Sequence, residues 1–154
     1  MATNQNKKAQ KLPSFIYYPS ILLVVAPYYE EITNALIEGA TVVLRKVNAT
    51  IEVIEVPGAL EIPTAIHLAS KNFSGFVALG CVIRGETSHY ETVANESSRS
   101  LSNLGLQGVC IGNGVLTVEN YAQARDRADP SSQDKGGGAA EAALCLIALK
   151  EKFS

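Results

Sequence analysis

A three-layer α/β/α sandwich, with helices on both faces of a four-stranded parallel sheet, is the architecture that these 154 residues predict. Apolar runs of strand length alternate with stretches at helical period, which is the pattern of successive βα units. Most of those short runs are continuously apolar, as parallel strands buried on both faces are. With 47% apolar and 18% charged residues, the chain has a globular balance and the length of one domain, large enough to need no disulfide or metal staple. Residues 1–20 read as a polar N-terminal arm and residues 21–154 as the domain.

The strands are expected at residues 21–26, 50–56, 75–81 and 108–111. Between the first two, residues 31–47 form a helix with Ile32, Leu36, Ala40, Val43 and Val47 on one stripe and Glu31, Glu38, Arg45 and Lys46 mostly off it. A mid-helix glycine there, Gly39, marks close packing, whereas Gly75 and Gly105 fall between elements as turns or caps. The second helix starts near Pro63. Residues 89–104 form the third, aligning Tyr90, Val93, Ala94, Ser97, Leu101 and Leu104, and a fourth follows Thr117. Residues 129–138, rich in Pro, Ser and Gly, read as a loop. In the last helix, residues 139–149, ten of eleven residues are apolar, so it is hydrophobic all round and is expected to bury itself against another subunit.

Thirteen basic residues against fifteen acidic ones give a net charge of −2, and the only basic block is Lys7, Lys8 and Lys11, so nucleic acid is not an expected partner. Cys81, Cys110 and Cys145 are odd in number, lack CxxC spacing and sit in apolar runs; they read as buried free thiols. The first eleven residues are polar throughout, unlike a secretory signal, and the expected compartment is the cytoplasm. The sequons at Asn48, Asn72 and Asn95 carry no meaning in a reducing compartment. No membrane span is expected, because the last helix would cover only about 17 Å of a bilayer core of about 30 Å.

Ligands of an open parallel sheet bind at the carboxyl ends of its strands. After the second strand stands Pro57-Gly58-Ala59-Leu60-Glu61-Ile62-Pro63, whose glycine permits close backbone approach; the plainer alternative is a helix start with an acid complementing the dipole. After the third comes Val82-Ile83-Arg84-Gly85-Glu86-Thr87-Ser88-His89. The amides of residues 85–87 and the Thr87 hydroxyl can hold a phosphate, or the turn can be a Ser/Thr cap with nothing bound. His89 beside such an anion site can exchange protons near neutral pH, while His67, inside the second helix, is expected to be structural. Gly112-Asn113-Gly114 is half of a dinucleotide fingerprint in the wrong place. Arg125, Arg127 and Lys135 could neutralise an anionic ligand or simply pair with the adjacent Asp126, Asp129 and Asp134. The histidines and cysteines have no metal-ligand spacing, and there is no G-x-S-x-G.

Residues 57–63, Gly80-Cys81-Val82-Ile83-Arg84-Gly85-Glu86-Thr87-Ser88-His89-Tyr90 and Gly114-Val115-Leu116-Thr117-Val118-Glu119-Asn120, in this order, resemble the lumazine synthase family of riboflavin biosynthesis. The resemblance covers residues 21–149. It implies a flavodoxin-like fold and a cofactor-free condensation of 5-amino-6-(D-ribitylamino)uracil with 3,4-dihydroxy-2-butanone 4-phosphate to 6,7-dimethyl-8-ribityllumazine, phosphate and water. By position, Tyr28 matches the aromatic that stacks on the pyrimidine, and the backbone of Val82 and Ile83 the segment bonding its polar edge. Ala59, Leu60 and Glu61 match the segment at the ribityl chain, Gly85, Glu86, Thr87 and Arg127 the phosphate site, His89 the proton-transfer residue and Lys135 a lysine nearby. It also implies a homo-oligomer built from pentamers, with sites between subunits. Pro27-Tyr28 stands where members often have Arg-Phe, Asn113 where many carry an aromatic, and residues 129–134 replace a glycine- and lysine-rich loop.

Two competing readings come from other classes. One is a module that holds a flavin or lumazine without making it, which Tyr28 stacking permits; the other is a shell subunit, which the apolar last helix favours but which needs neither His89 nor Arg127.

Overall fold

The computed structural model describes residues 11–154; Lys7 and Lys8 of the expected basic block lie outside the described residues. The chain runs β1 (Ser20–Val25), α1 (Glu30–Arg45), β2 (Thr50–Glu55), a single 3₁₀ turn (Ala59–Glu61), α2 (Ile62–Ala69), β3 (Gly75–Ile83), α3 (His89–Leu106), β4 (Ile111–Val118), α4 (Tyr121–Ala128) and α5 (Lys135–Lys152). All strand pairs are parallel, in the order β2-β1-β3-β4. The α/β/α sandwich is present as expected.

Alternation along the two central strands makes two cores. Ile21, Leu23 and Val25 of β1, with Val77, Leu79 and Cys81 of β3, face one side and meet apolar residues of α1, α4 and α5. Leu22, Val24, Phe76 and Ala78 face the other and meet Ile62 and Ile66 of α2 and Val93, Leu101 and Leu104 of α3. In α1 the stripe Ile32, Leu36, Ala40 and Val43 is buried. The helix stops at Arg45, two residues before the expected end, because Asn48 turns left-handed at φ 55°.

Gly39 serves the close packing expected of it. A Cβ there would collide with the Asp134 carboxylate, and one on Gly136 would collide with the Leu36 carbonyl, so α1 and α5 touch backbone to backbone. That contact explains why residues 135–138, expected in a loop, form the first turn of α5 instead: glycines poor in helix propensity are accepted where nothing larger fits. Asp134 opens this helix in left-handed geometry, its carboxylate accepting from the Gly137 amide at 3.0 Å.

Three further expectations are corrected. The fourth strand is residues Ile111–Val118, not 108–111. Its pattern of alternating buried and more exposed positions is that of an edge strand, and Gly112 is in it because Ala139 of α5 lies against its backbone. Gly75 opens β3 and Gly105 lies inside α3; the turn after α3 belongs to Gly108, at φ +91°. Finally, Cys81 and Cys110 are buried, but Cys145 is only half-buried. Ala139, Ala140, Ala143, Leu144 and Ile147 of α5 are already buried within the chain, while Leu146 and Leu149 remain 40% and 43% exposed.

Candidate functional site

Chain order β2-β1-β3-β4 reverses direction between β1 and β3, and that switch point is where an open α/β sheet leaves a crevice. A pocket of about 450 Å³ lies there. Tyr28 and Tyr29 enter it from the β1–α1 turn, Ala59, Leu60 and Glu61 from the 3₁₀ turn, Val82 and Ile83 from the end of β3, and Gly85, Thr87, His89 and Tyr90 from the start of α3.

The floor of the pocket is main chain. Pairing of β3 with β1 ends at Leu79, whereas pairing with β4 runs on to Ile83. The Leu79 carbonyl accepts from Ala26 on the β1 side, and Arg84 donates to Val118 on the β4 side. By strand alternation, the amides and carbonyls of Cys81 and Ile83 therefore point to the open edge, while those of Val82 belong to the β4 ladder. Val82 lends the pocket its side chain. Four residues of strand thus overhang β1 and offer backbone donors and acceptors to a planar ligand edge.

Tyr28 is 77% exposed at the mouth, and the Tyr29 ring meets it edge-on at 4.9 Å. Burial, helped by Tyr28 and Cys81, pushes the Tyr29 phenol up from its ordinary value, so it stays protonated. Burial likewise pushes the Cys81 thiol up to about 11, leaving no thiolate to act as a nucleophile at neutral pH. Glu61 occupies the N-cap position of α2 without bonding its amides, so its carboxylate is not spent on the helix. Ser88 caps nothing with its side chain, and the Thr87 hydroxyl accepts only a long bond of 3.4 Å from His89. The amides at the start of α3 are thereby left with little protein to bond to. His67 sits exposed in the last turn of α2, outside the pocket.

A second cleft, of about 510 Å³, runs along β4 and is lined by Asn113, Arg127 and Lys135 among others. The acids that adjoin these cations in sequence are engaged elsewhere. Asp126 bonds Ser132 and Gln133, Asp129 bonds Ser131, and Asp134 caps α5. Arg125 pairs with Glu31 at 3.2 Å. Arg127 donates only to the Gln123 carbonyl, at 3.2 Å, and among the described residues neither it nor Lys135 has a carboxylate partner. Lys135, moreover, stands at the first position of α5, the end where the helix dipole disfavours a cation.

Comparison with known proteins decides the family. The family model described as 6,7-dimethyl-8-ribityllumazine synthase matches residues 19–151. The chain belongs to that family. A curated 6,7-dimethyl-8-ribityllumazine synthase of Jannaschia sp. (strain CCS1) is 56% identical over 144 residues, covering 92% of this chain and 81% of its own. One of Novosphingobium aromaticivorans is 55% identical over 135 residues, 86% and 97% of the two chains. A third, 6,7-dimethyl-8-ribityllumazine synthase 1 of Mesorhizobium japonicum, is 51% identical over 141 residues, 86% of each.

For a lumazine synthase family member, the distribution of the expected site residues is informative. The pocket gathers Tyr28, Ala59, Leu60, Glu61, Val82, Ile83, Gly85, Thr87 and His89 but, among the described residues, no Lys or Arg. Asn113, Arg127 and Lys135 lie on the other cleft, and Glu86 lines neither. Tyr29, Tyr90 and the Cys81 backbone were not expected. Their signal was adjacency, since each neighbours an expected residue, but which of two neighbours turns inward depends on the turn.

Proposed function

We infer that this chain is an enzyme of riboflavin biosynthesis, condensing 5-amino-6-(D-ribitylamino)uracil with 3,4-dihydroxy-2-butanone 4-phosphate to 6,7-dimethyl-8-ribityllumazine and releasing phosphate. The observation that carries this reading is the switch-point pocket, in which an aromatic face, a main-chain hydrogen-bonding edge, an amide-rich helix start and a histidine converge. The pyrimidine ring stacks on Tyr28 with its polar edge on the β3 overhang, and the ribityl chain lies along residues 59–61. The phosphate sits at Gly85 and Thr87, with Glu86 on the same turn.

A doubly charged phosphate in a pocket with no cation would be poorly held. We place the missing charge in the neighbouring subunit: Arg127 and Lys135, with Asn113, stand on a separate cleft without acidic partners among the described residues, as a donor half-site would. The exposed Leu146 and Leu149 fit the same picture of a ring of subunits, which we take to be a homopentamer. Three unpaired thiols suit a reducing compartment, and we place the protein in the cytoplasm.

The attacking amine belongs to the substrate, so no enzyme nucleophile is required. Positioning two substrates in register supplies the larger share of the acceleration, up to about 7–11 kcal/mol. His89 moves protons between the amine, the carbonyl oxygen and the departing water. The test is lumazine formation followed optically against the uncatalysed background. Acceleration that saturates in both substrates is expected; folded protein that binds flavin tightly but gives no acceleration would replace the reading with a binding module.

A further inference from the structure

Arg84 directly precedes the phosphate turn, yet its charge is already committed. Its Nε donates to Glu119 at 2.8 Å, its Nη1 bonds Glu91, and its guanidinium lies 4.1 Å over the Tyr90 ring. Its backbone extends the sheet by one bond, to the Val118 carbonyl at 3.0 Å. A guanidinium shared by two carboxylates is a poor phosphate ligand, so its role lies elsewhere.

The three groups it joins come from two elements: Tyr90 and Glu91 from the first turn of α3, and Glu119 from the junction between β4 and α4. Between Arg84 and that turn, residues 85–88 are exposed and have little else to hold them. Gly85 has open space where a side chain would go, and the one side-chain bond in the turn is the long one from His89 to Thr87. Exposed ion pairs taken singly contribute little, but here two of them and a stacked ring converge on one rigid fork.

We propose that Arg84 is a positioning residue: a clasp that holds the first turn of α3 against β4, and so fixes Thr87 and His89 at the pocket. This rests on the reaction assigned above. A misplacement of about 1 Å at a reacting group can cost about 10²-fold in rate, so Arg84→Met is expected to lower kcat about 10- to 100-fold. The KM for the pyrimidine, whose contacts are on Tyr28 and β3, should change less than about threefold. In an enzyme already carrying His89→Ala, the same substitution should lower kcat less than about threefold more, because the clasp acts on kcat through His89, while Thr87 bears on the KM for the butanone phosphate.

A second readout does not depend on turnover. Hydrogen exchange across residues 84–95 should quicken in Arg84→Met, and to a smaller extent in Glu119→Gln, which removes one arm of the clasp and keeps the fold. Unchanged exchange in both variants overturns the clasp whatever the enzyme does. Faster exchange with wild-type kcat overturns the positioning role, and a full additional loss in the His89→Ala background does the same. If the unsubstituted protein fails to accelerate the condensation, the assigned reaction falls while exchange still decides the clasp.

Discussion

At the pocket, His89 is the first residue of an 18-residue helix, and it shares the lining with Tyr28, Tyr29 and Tyr90 and with the end of β3. Proton transfer from a positioned side chain is typically worth about 10² to 10⁴ in rate. His89→Ala should therefore lower kcat by about that factor and still exceed background, measured at saturating substrates with the assembly mass unchanged; wild-type turnover would remove the proton-transfer role. Arg127→Ala should raise the apparent KM for the butanone phosphate at least about tenfold, the scale of one lost charge-assisted hydrogen bond, with the KM for the pyrimidine nearly unchanged. An unaltered phosphate KM would take Arg127 out of the site. His89 and Thr87 were legible in the sequence because they follow directly on a buried strand. Whether Arg127 was paired could not be read, since Asp126 and Asp129 adjoin it and only the fold shows that their oxygens are taken by Ser131, Ser132 and Gln133. The main-chain contribution of Cys81 was equally hidden, because it depends on where the pairing with β1 stops.

Among the elements, most were read to within two residues, and β4 and α5 were not. β1 is buried on both faces, and its apolar run announces it. β4 is an edge strand interrupted by Gly112, Asn113 and Gly114, which resemble a turn; they are strand because α5 presses on one face and a cleft opens at the other. The start of α5 was misread for a related reason: three consecutive glycines argue against a helix unless another helix crosses there. Asp134 gives this junction a test. It has φ 45°, where L-residues are strained, and it caps α5 through its carboxylate. Asp134→Ala loses the cap and keeps the strain, and should cost about 1–2 kcal/mol in urea unfolding. Asp134→Gly relieves the strain and should cost clearly less. Equal losses would show that the cap alone matters.

At the level of the whole molecule, a pocket without cations and a cleft with unpaired ones ask for a partner copy. Coexpression of His89→Ala with Arg127→Ala subunits provides the check. If His89 and Arg127 of different chains share a site, mixed rings contain sites with both native residues, and turnover at low butanone phosphate should exceed that of either variant alone. Activity no higher than the average of the two variants would mean that each chain completes its own site. Light scattering on the unsubstituted protein should give the mass of five chains, and a particle far larger would rule out a plain pentamer.

The overhang of β3 past β1 bears on how such a protein can change over time. On the function proposed, hydrogen-bond recognition there is written in the pairing of strands, not in the identity of side chains. Substitutions at Val82 or Ile83 can reshape the walls, and so retune which ring substituents fit, without altering the pattern of donors and acceptors offered to the ring edge. To change that pattern, the chain would have to gain or lose a residue in β3, and a one-residue slip would also turn Val77, Leu79 and Cys81 out of their core. Preference for the ring is thus tied to the survival of the fold, while preference for what decorates the ring is left free to drift.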